Sequence, residues 1–264
     1  MSSAGLLAGG QLGGRGILVT RPAARAAPLA ACIRRAGGDP VLFPTLKIVS
    51  ILEKQSGSTN IIDNNIIKSN LLIFVSPTAV EEGLAPFRAC WPAGLVVAAV
   101  GAGTARLLRE RGVAAVLAPA QGGDSEALAA LPELQQVAGK RIVIVRGQGG
   151  REWLAEALRA RGAQVDYLEC YRRVCPNTDA GPLVARWRAG GVAAVTMTSR
   201  QALDNLFAML PEAAHALARA TPLFAVHPRI AAHARALGVA KIVTIGAGDA
   251  AIVSGLQSFF ATLS

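Results

Sequence analysis

The chain has little of what most catalytic centres are made from. Its 264 residues include three histidines, four cysteines and only 5% aromatics. His215, His227 and His233 are scattered and have no partner ligands at metal-binding spacing, so no metal site is expected. Cys32, Cys90, Cys170 and Cys175 form no Cys-x-x-Cys pair. They read as reduced, mostly buried thiols of a cytoplasmic protein. No apolar run reaches the roughly 18 residues a membrane span needs, so no membrane association is expected. Met1 to Gly14 is rich in Gly, Ala and Leu but has no basic head. It reads as a disordered lead-in, not a signal peptide.

Acidic residues are also scarce, 17 against 27 Lys and Arg, for a formal charge of +10. The imbalance is uneven. Lys47 to Tyr171 holds 13 basic and 12 acidic residues, whereas the remainder holds 14 and 5. Such a field draws in a polyanionic ligand, or it is simply arginine decorating helix surfaces. Nucleic acid is not expected, because aromatics are few and no dense Lys/Arg run exists.

What the chain does have is a repeat, about 125 residues apart. Ile17-Leu18-Val19-Thr20-Arg21 returns as Ile142-Val143-Ile144-Val145-Arg146. Phe74 to Val80 is echoed by Met197 to Leu203, Val100 to Gly112 by Val226 to Gly238, and Gly123-Asp124 by Gly248-Asp249. Two similar α/β halves follow, with a cleft between them as the expected ligand site.

Short, continuously apolar runs alternate with amphipathic stretches, as in parallel sheets covered on both faces. Strands are expected at 17–20, 41–43, 71–76, 95–100, 113–117, 142–146, 192–198, 223–226 and 241–245. Helices are expected at 23–36, 78–87, 104–111, 125–134, 151–161, 200–210, 229–237 and 249–260. Four Arg-x-x-Gly units, ending at Gly37, Gly112, Gly162 and Gly238, close four of these helices. Glycine suits the left-handed position there and the arginine complements the helix dipole, which gives these arginines structural work. Phe43 to Val49 and Asp166 to Val174 break the rhythm by running extended without a helix. They read as paired connections between the lobes. The Ile61, Ile62, Ile66 and Ile67 set is compatible with one face of a short helix.

Several motifs come close and fail. Val100-Gly101-Ala102-Gly103-Thr104-Ala105-Arg106 has the first two glycines of a dinucleotide fingerprint, but Arg106 occupies the third position. Gly147-Gln148-Gly149-Gly150 fails in the same way, with Glu152 at the third site. Both loops still offer backbone N–H groups to a carboxylate or phosphate. Gly123-Asp124-Ser125-Glu126-Ala127 lacks the closing glycine of a nucleophile elbow, so Asp124 or Ser125 reads as a helix N-cap. No cofactor is expected, and any chemistry must come from positioning and hydrogen bonding.

These segments together resemble the uroporphyrinogen-III synthase family. The resemblance is carried by Val19-Thr20-Arg21-Pro22, Gly38-x-Pro40-Val41-x-x-Pro44-x-Leu46-x-Ile48, Phe74-x-Ser76-x-x-Ala79-Val80, Val100-Gly101-x-Gly103-Thr104-Ala105 and Asp124-Ser125-Glu126. It continues through Arg146-Gly147 with Arg151-x-x-Leu154, Tyr171-Arg172, Thr198-Ser199 and Ala231-x-x-Ala234-Arg235-x-Leu237-Gly238. The motifs are short, and their order and spacing from Arg15 onward carry the specificity.

The resemblance implies two doubly wound parallel-sheet lobes joined by a two-stranded connector, the chain crossing twice. One lobe comprises residues 15–46 and 172–264, the other 47–171. It implies a lyase acting as a monomer on hydroxymethylbilane, a polyanionic linear tetrapyrrole. Water is lost, ring D is inverted, and the substrate is handed over transiently by hydroxymethylbilane synthase. A bilobal anion-binding module without chemistry is the alternative.

The expected substrate-binding residues lie at strand ends: Arg21, Ser76, Thr78, Gly101, Gly103, Thr104, Arg146, Thr198, Ser199, Arg200 and Arg229. Arg21 and Arg146 are either carboxylate clamps or partners of local acids. Tyr171 matches the family's tyrosine. It is either the proton donor to the departing hydroxyl or a linker residue capping the core. His227-Pro228-Arg229 stands where some members carry a Thr-Thr pair, and Arg229 is a candidate to replace those hydroxyls.

Overall fold

The computed structural model describes residues 11–52, 68–84 and 94–263. In chain order the elements are β1 (Gly16–Val19), α1 (Ala23–Arg35), β2 (Asp39–Leu42), β3 (Lys47–Ser50), β4 (Leu71–Phe74), α2 (Pro77–Gly83), β5 (Val96–Ala99) and α3 (Ala102–Glu110). Next come α4 (Ser125–Ala129), α5 (Pro132–Gln135), β6 (Arg141–Gly147), α6 (Trp153–Ala160), β7 (Gln164–Val174) and α7 (Gly181–Arg188). The chain closes with β8 (Ala194–Met197), α8 (Arg200–Met209), α9 (His215–Ala220), β9 (Leu223–Ala225), α10 (Pro228–Ala236), β10 (Ile242–Thr244) and α11 (Asp249–Ala261).

The chain divides into two compact units, one of residues 1–47 and 174–264, the other of 48–173. The first contains a sheet in the order β10-β9-β8-β1-β2, parallel throughout. The second contains a sheet in the order β3-β7-β6-β4-β5, in which β7, β6, β4 and β5 run parallel. Each sheet combines strands of both sequence repeats. β1 and β2 come from the first repeat and join β8 to β10 of the second, while β4 and β5 join β6 and β7. The two passages between units fall at β3 and at the end of β7, strands that neighbour each other in the second sheet.

Alternation within the strands explains the layers. Successive side chains of a strand point to opposite faces. In β1, Ile17 and Val19 pack with α1 and α11, while Leu18 packs with α7, α8 and α10. In β4, Leu72 and Phe74 pack with α2 and α3, while Leu71 and Ile73 pack with α4, α5 and α6. All four residues of β4 are buried. Burial of each large apolar side chain contributes roughly 1.5–3 kcal/mol, so both faces of each sheet require cover.

The four Arg-x-x-Gly units end helices as expected. Gly37, Gly112, Gly162 and Gly238 have φ of 78°, 93°, 83° and 84°. Each N–H bonds the arginine carbonyl three residues back, at 2.9, 3.0, 2.9 and 3.0 Å respectively. The next residue's N–H bonds the carbonyl one position earlier still, completing a Schellman motif. Gly190 closes α7 in the same way, with φ 76°.

Several expectations need correction. The 113–117 strand reduces to a single bridge, Ala98 to Leu117. The 125–134 helix is two helices, because Pro132 holds Leu131 extended at ψ 141° and restarts the turn. The helices α7 and α9 were not anticipated. Asp166 to Val174 is not a mere connection, since β7 pairs with β6 from Gln164 to Tyr171. Gln11 to Gly14, expected in the lead-in, form a turn whose Leu12 is fully buried and whose N–H bonds Ala36 O at 3.0 Å. Cys175 is exposed, Cys32 partly buried and Cys170 buried. Cys90, the isoleucine helix, the 84–87 end of the expected 78–87 helix beyond Leu84, and the first ten residues lie outside the described residues.

Gly112 tests the cap. A Cβ there would meet nothing within 4 Å, so only the left-handed backbone opposes substitution. Gly112→Ala is expected to cost about 1–2 kcal/mol, read as a lower urea midpoint with an unchanged slope.

Candidate active site

In the second unit, the parallel strands β4, β5 and β6 each lead into a loop that opens a helix. Ser76 follows β4 and caps α2, its Oγ accepting the Ala79 N–H at 3.1 Å. Thr78, in the first turn of α2, is buried. Gly101 caps α3 through its extended backbone, and its carbonyl accepts the Thr104 N–H at 3.0 Å. Thr104 is buried and Gly103 has open space where a Cβ would stand. Gly101 also lies close to the next loop, since a Cβ on it would sit 3.3 Å from Gly123 Cα. Asp124 caps α4 by accepting the Ala127 N–H at 2.8 Å, which settles the choice between Asp124 and Ser125.

Arg146, the residue before the last of β6, is 5% exposed. Its guanidinium pairs with Glu152 at 2.8 Å and Glu169 at 3.6 Å and donates to the Gly150 carbonyl at 3.1 Å. It also stacks 4.2 Å from the centre of the Tyr167 ring. The Tyr167 hydroxyl donates to the second oxygen of Glu152. That hydrogen bond, then the one from Arg146, holds the Glu152 carboxyl below the usual carboxylate range. Burial first, and then the bond to Glu152, raise the Tyr167 phenol. Arg146 therefore organises the 147–151 loop around two acids of its own unit.

Tyr171 owes its position to a bulge. β6 and β7 stay in register to Arg146 and Glu169, but Gly147 pairs with Tyr171, so one residue is passed over. The strand consequently turns two successive side chains inward, Cys170 and Tyr171. Burial pushes the Cys170 thiol up to about 12, leaving it an unreactive filler. The Tyr171 ring lies against Gly147, where a Cβ would come within 2.5 Å of it. Its hydroxyl is 3.2 Å from Ser76 Oγ and accepts a hydrogen bond from Arg173 Nη2 at 3.0 Å. The residue is 1% exposed.

The first unit repeats the scheme with different side chains. Ser199 follows β8 and caps α8, accepting the Ala202 N–H at 3.1 Å. It is the counterpart of Ser76. Thr198 is partly buried and Arg200 is exposed. His227 caps α10, its Nδ1 accepting the Arg229 N–H at 3.1 Å, and the Arg229 side chain is exposed. Thr20 Oγ1 is turned inward to the Thr196 carbonyl at 3.0 Å. Arg21 pairs with Asp249 at 2.5 Å, tying the loop after β1 to the first turn of α11.

The structure thus joins Ser76 and Tyr171 directly and gives both Arg21 and Arg146 acid partners within their own units. The sequence reading missed Arg173 and the acids Glu152, Glu169 and Asp249. Arg173 was accessible in principle, because residues i and i+2 of a strand share a face. Among the described residues, no group of three His, Cys, Asp or Glu side chains is placed to hold a metal ion. No helix among them is long and apolar enough to cross a membrane.

The tight fit at Gly147 is testable. Gly147→Ala must displace the Tyr171 ring, and overpacking of this kind costs about 1–3 kcal/mol. A lower urea midpoint and altered tyrosine near-UV circular dichroism are the expected readings.

Residues 27–246 match the family model described as "Uroporphyrinogen-III synthase HemD". The uroporphyrinogen-III synthase of Salmonella typhimurium is 34% identical over 247 residues, covering 91% of this chain and 99% of that one. The Escherichia coli enzyme of the same name is 34% identical over 252 residues, again covering 91% and 99%. Among solved structures, a mutant uroporphyrinogen III synthase from Thermus thermophilus superposes with a TM-score of 0.61 at 21% identity, covering 94% of this chain and 98% of that one. The Helicobacter pylori uroporphyrinogen-III synthetase gives 0.57 at 11% identity, covering 95% and 99%. These two structural likenesses concern the fold. On the family match and the identity to its relatives, the chain belongs to the uroporphyrinogen-III synthase family.

Proposed function

We propose that this chain closes hydroxymethylbilane to uroporphyrinogen III, with Tyr171 as the proton donor. The hydroxymethyl C–O bond breaks, the Tyr171 phenol protonates the departing oxygen, and water leaves. The electrophilic carbon of ring A is then attacked by the substituted carbon of ring D, giving a spiro intermediate. The original bond from that carbon to the ring C methylene breaks, and the freed methylene bonds the unsubstituted α-carbon of ring D, which inverts the ring. The proton lost as the rings regain aromaticity restores the phenol.

The remaining task is geometric. An unguided bilane closes head to tail without inversion, so the enzyme must hold one folded conformer. Orientation of that kind supplies on the order of 7–11 kcal/mol. The carboxylates of the substrate would be held by the loops at strand ends: Ser76 to Thr78, Gly101 to Thr104 and Arg146 to Gly150 in one unit, and Arg21, Thr198 to Arg200 and Arg229 in the other. The acid partners of Arg21 and Arg146 favour a positioning part for both, with backbone N–H groups making the contact. Action in the cytoplasm as a monomer, with transient hand-over from the bilane-forming enzyme, belongs to the same reading. A non-catalytic anion-binding module finds no support in the comparisons.

The observation that carries the assignment of Tyr171 is its hydroxyl, 3.2 Å from Ser76 Oγ at the carboxyl end of β4. Freshly made hydroxymethylbilane, incubated with protein and then oxidised, should give the type III porphyrin isomer. A mixture matching the buffer control overturns the enzymatic reading. Tyr171→Phe should lower kcat about 100-fold or more with the thermal midpoint held. Full turnover to the type III isomer by that variant removes Tyr171 from the mechanism.

A further inference from the structure

Tyr171 poses a difficulty as a proton donor: its hydroxyl is capped. We infer that Arg173 is a carboxylate-binding residue for the substrate and that its guanidinium, when unliganded, covers the Tyr171 phenol. Arg173 lies two residues beyond Tyr171 at the end of β7. Its Nη2 is 3.0 Å from the phenolic oxygen and its Cζ 5.4 Å from the ring centre. The residue itself is exposed.

Its partner is the unusual part. Arg21 holds Asp249, Arg146 holds Glu152 and Glu169, Arg151 holds Glu126, and Arg186 holds Asp39. Among the described residues Arg173 has no ion pair, and its side chain donates to a neutral phenol alone. A carboxylate is the stronger acceptor, since it adds a full negative charge and can take two guanidinium N–H groups at once, where the phenol takes one. The acetate and propionate groups on every ring of a linear tetrapyrrole supply that acceptor. When one takes the guanidinium, the phenol loses its cap and keeps the Ser76 hydroxyl. The backbone N–H of Ala79 already occupies one acceptor site of Ser76. Ser76 can therefore donate to the phenolic oxygen and leave the phenolic proton free for the substrate. The catalytic consequence rests on Tyr171 being the donor, whereas the binding part does not.

The test separates the two. Binding of uroporphyrin III is measured by its fluorescence against wild type, Arg173→Met, Arg173→Lys, Tyr171→Phe and Arg172→Met. Arg172 is the control, an exposed neighbour without a hydrogen bond or ion pair among the described residues. Arg173→Met should weaken binding about tenfold and raise KM for hydroxymethylbilane by a similar factor, Arg173→Lys should recover most of both, and Arg172→Met should change neither as much as twofold. Tyr171→Phe should bind as well as wild type or better, because nothing then competes for the guanidinium. Wild-type binding by Arg173→Met, or equal weakening by Arg172→Met, overturns the inference. Normal turnover by Tyr171→Phe beside weakened binding by Arg173→Met ends the donor reading and leaves Arg173 in place.

Discussion

Each of the inner strands β1, β8 and β4 is four residues long and has no wet side. Two of its side chains point up, two point down, and all are buried, as Leu71 to Phe74 illustrate. Such a strand is stable only between two helical layers, and parallel neighbours then require a helix in each connection. The helices α2, α3, α8 and α10 each begin just beyond the carboxyl end of a strand. The free N–H groups of those first turns therefore collect at one end of each sheet. Ser76, Gly101 and Asp124 in one unit, and Ser199 and His227 in the other, are the caps that this geometry calls for.

The bulge between β6 and β7 adds to this end of the second sheet. Regular alternation would have sent either Cys170 or Tyr171 to the opposite face. By passing over one residue, the strand buries both and lays the Tyr171 ring across Gly147. The phenol then reaches Ser76 on the far side of β6, so a tyrosine from one sequence repeat meets a serine from the other. Beyond it, Arg172 and Arg173 are both exposed.

Features set by local chemistry were legible in the sequence. The arginine-glycine helix ends, the cap at Asp124 and most of the strand cores depend on residues within a few positions of one another, and they stand where the pattern put them. The break at Leu131-Pro132 was legible too, through the restriction proline places on its predecessor, but the continuous apolar pattern from Ser125 masked it. The α7 helix carries the same glycine closure at Gly190, although its last turn lacks the Arg-x-x-Gly spacing of the other four. The pairing choices of the site had no local signal. Asp249 lies 228 residues from Arg21, and the register slip at Gly147 exists only once β6 and β7 lie side by side. Burial of Tyr171 follows from that slip, which explains why the residue could be named without its surroundings being foreseen.

The first unit is interrupted in sequence: β1 and β2 are made before residue 48, but β8, the other neighbour of β1, begins at Ala194. On a ribosome the intervening unit emerges whole in the meantime. At about 5–20 residues per second, the opening β-α-β segment waits on the order of ten seconds for its missing neighbour. One flank of β1, with its Ile17, Leu18 and Val19 backbone groups, stays unzipped throughout that delay. Synthesis thus exposes an adhesive strand edge that the finished sheet keeps covered.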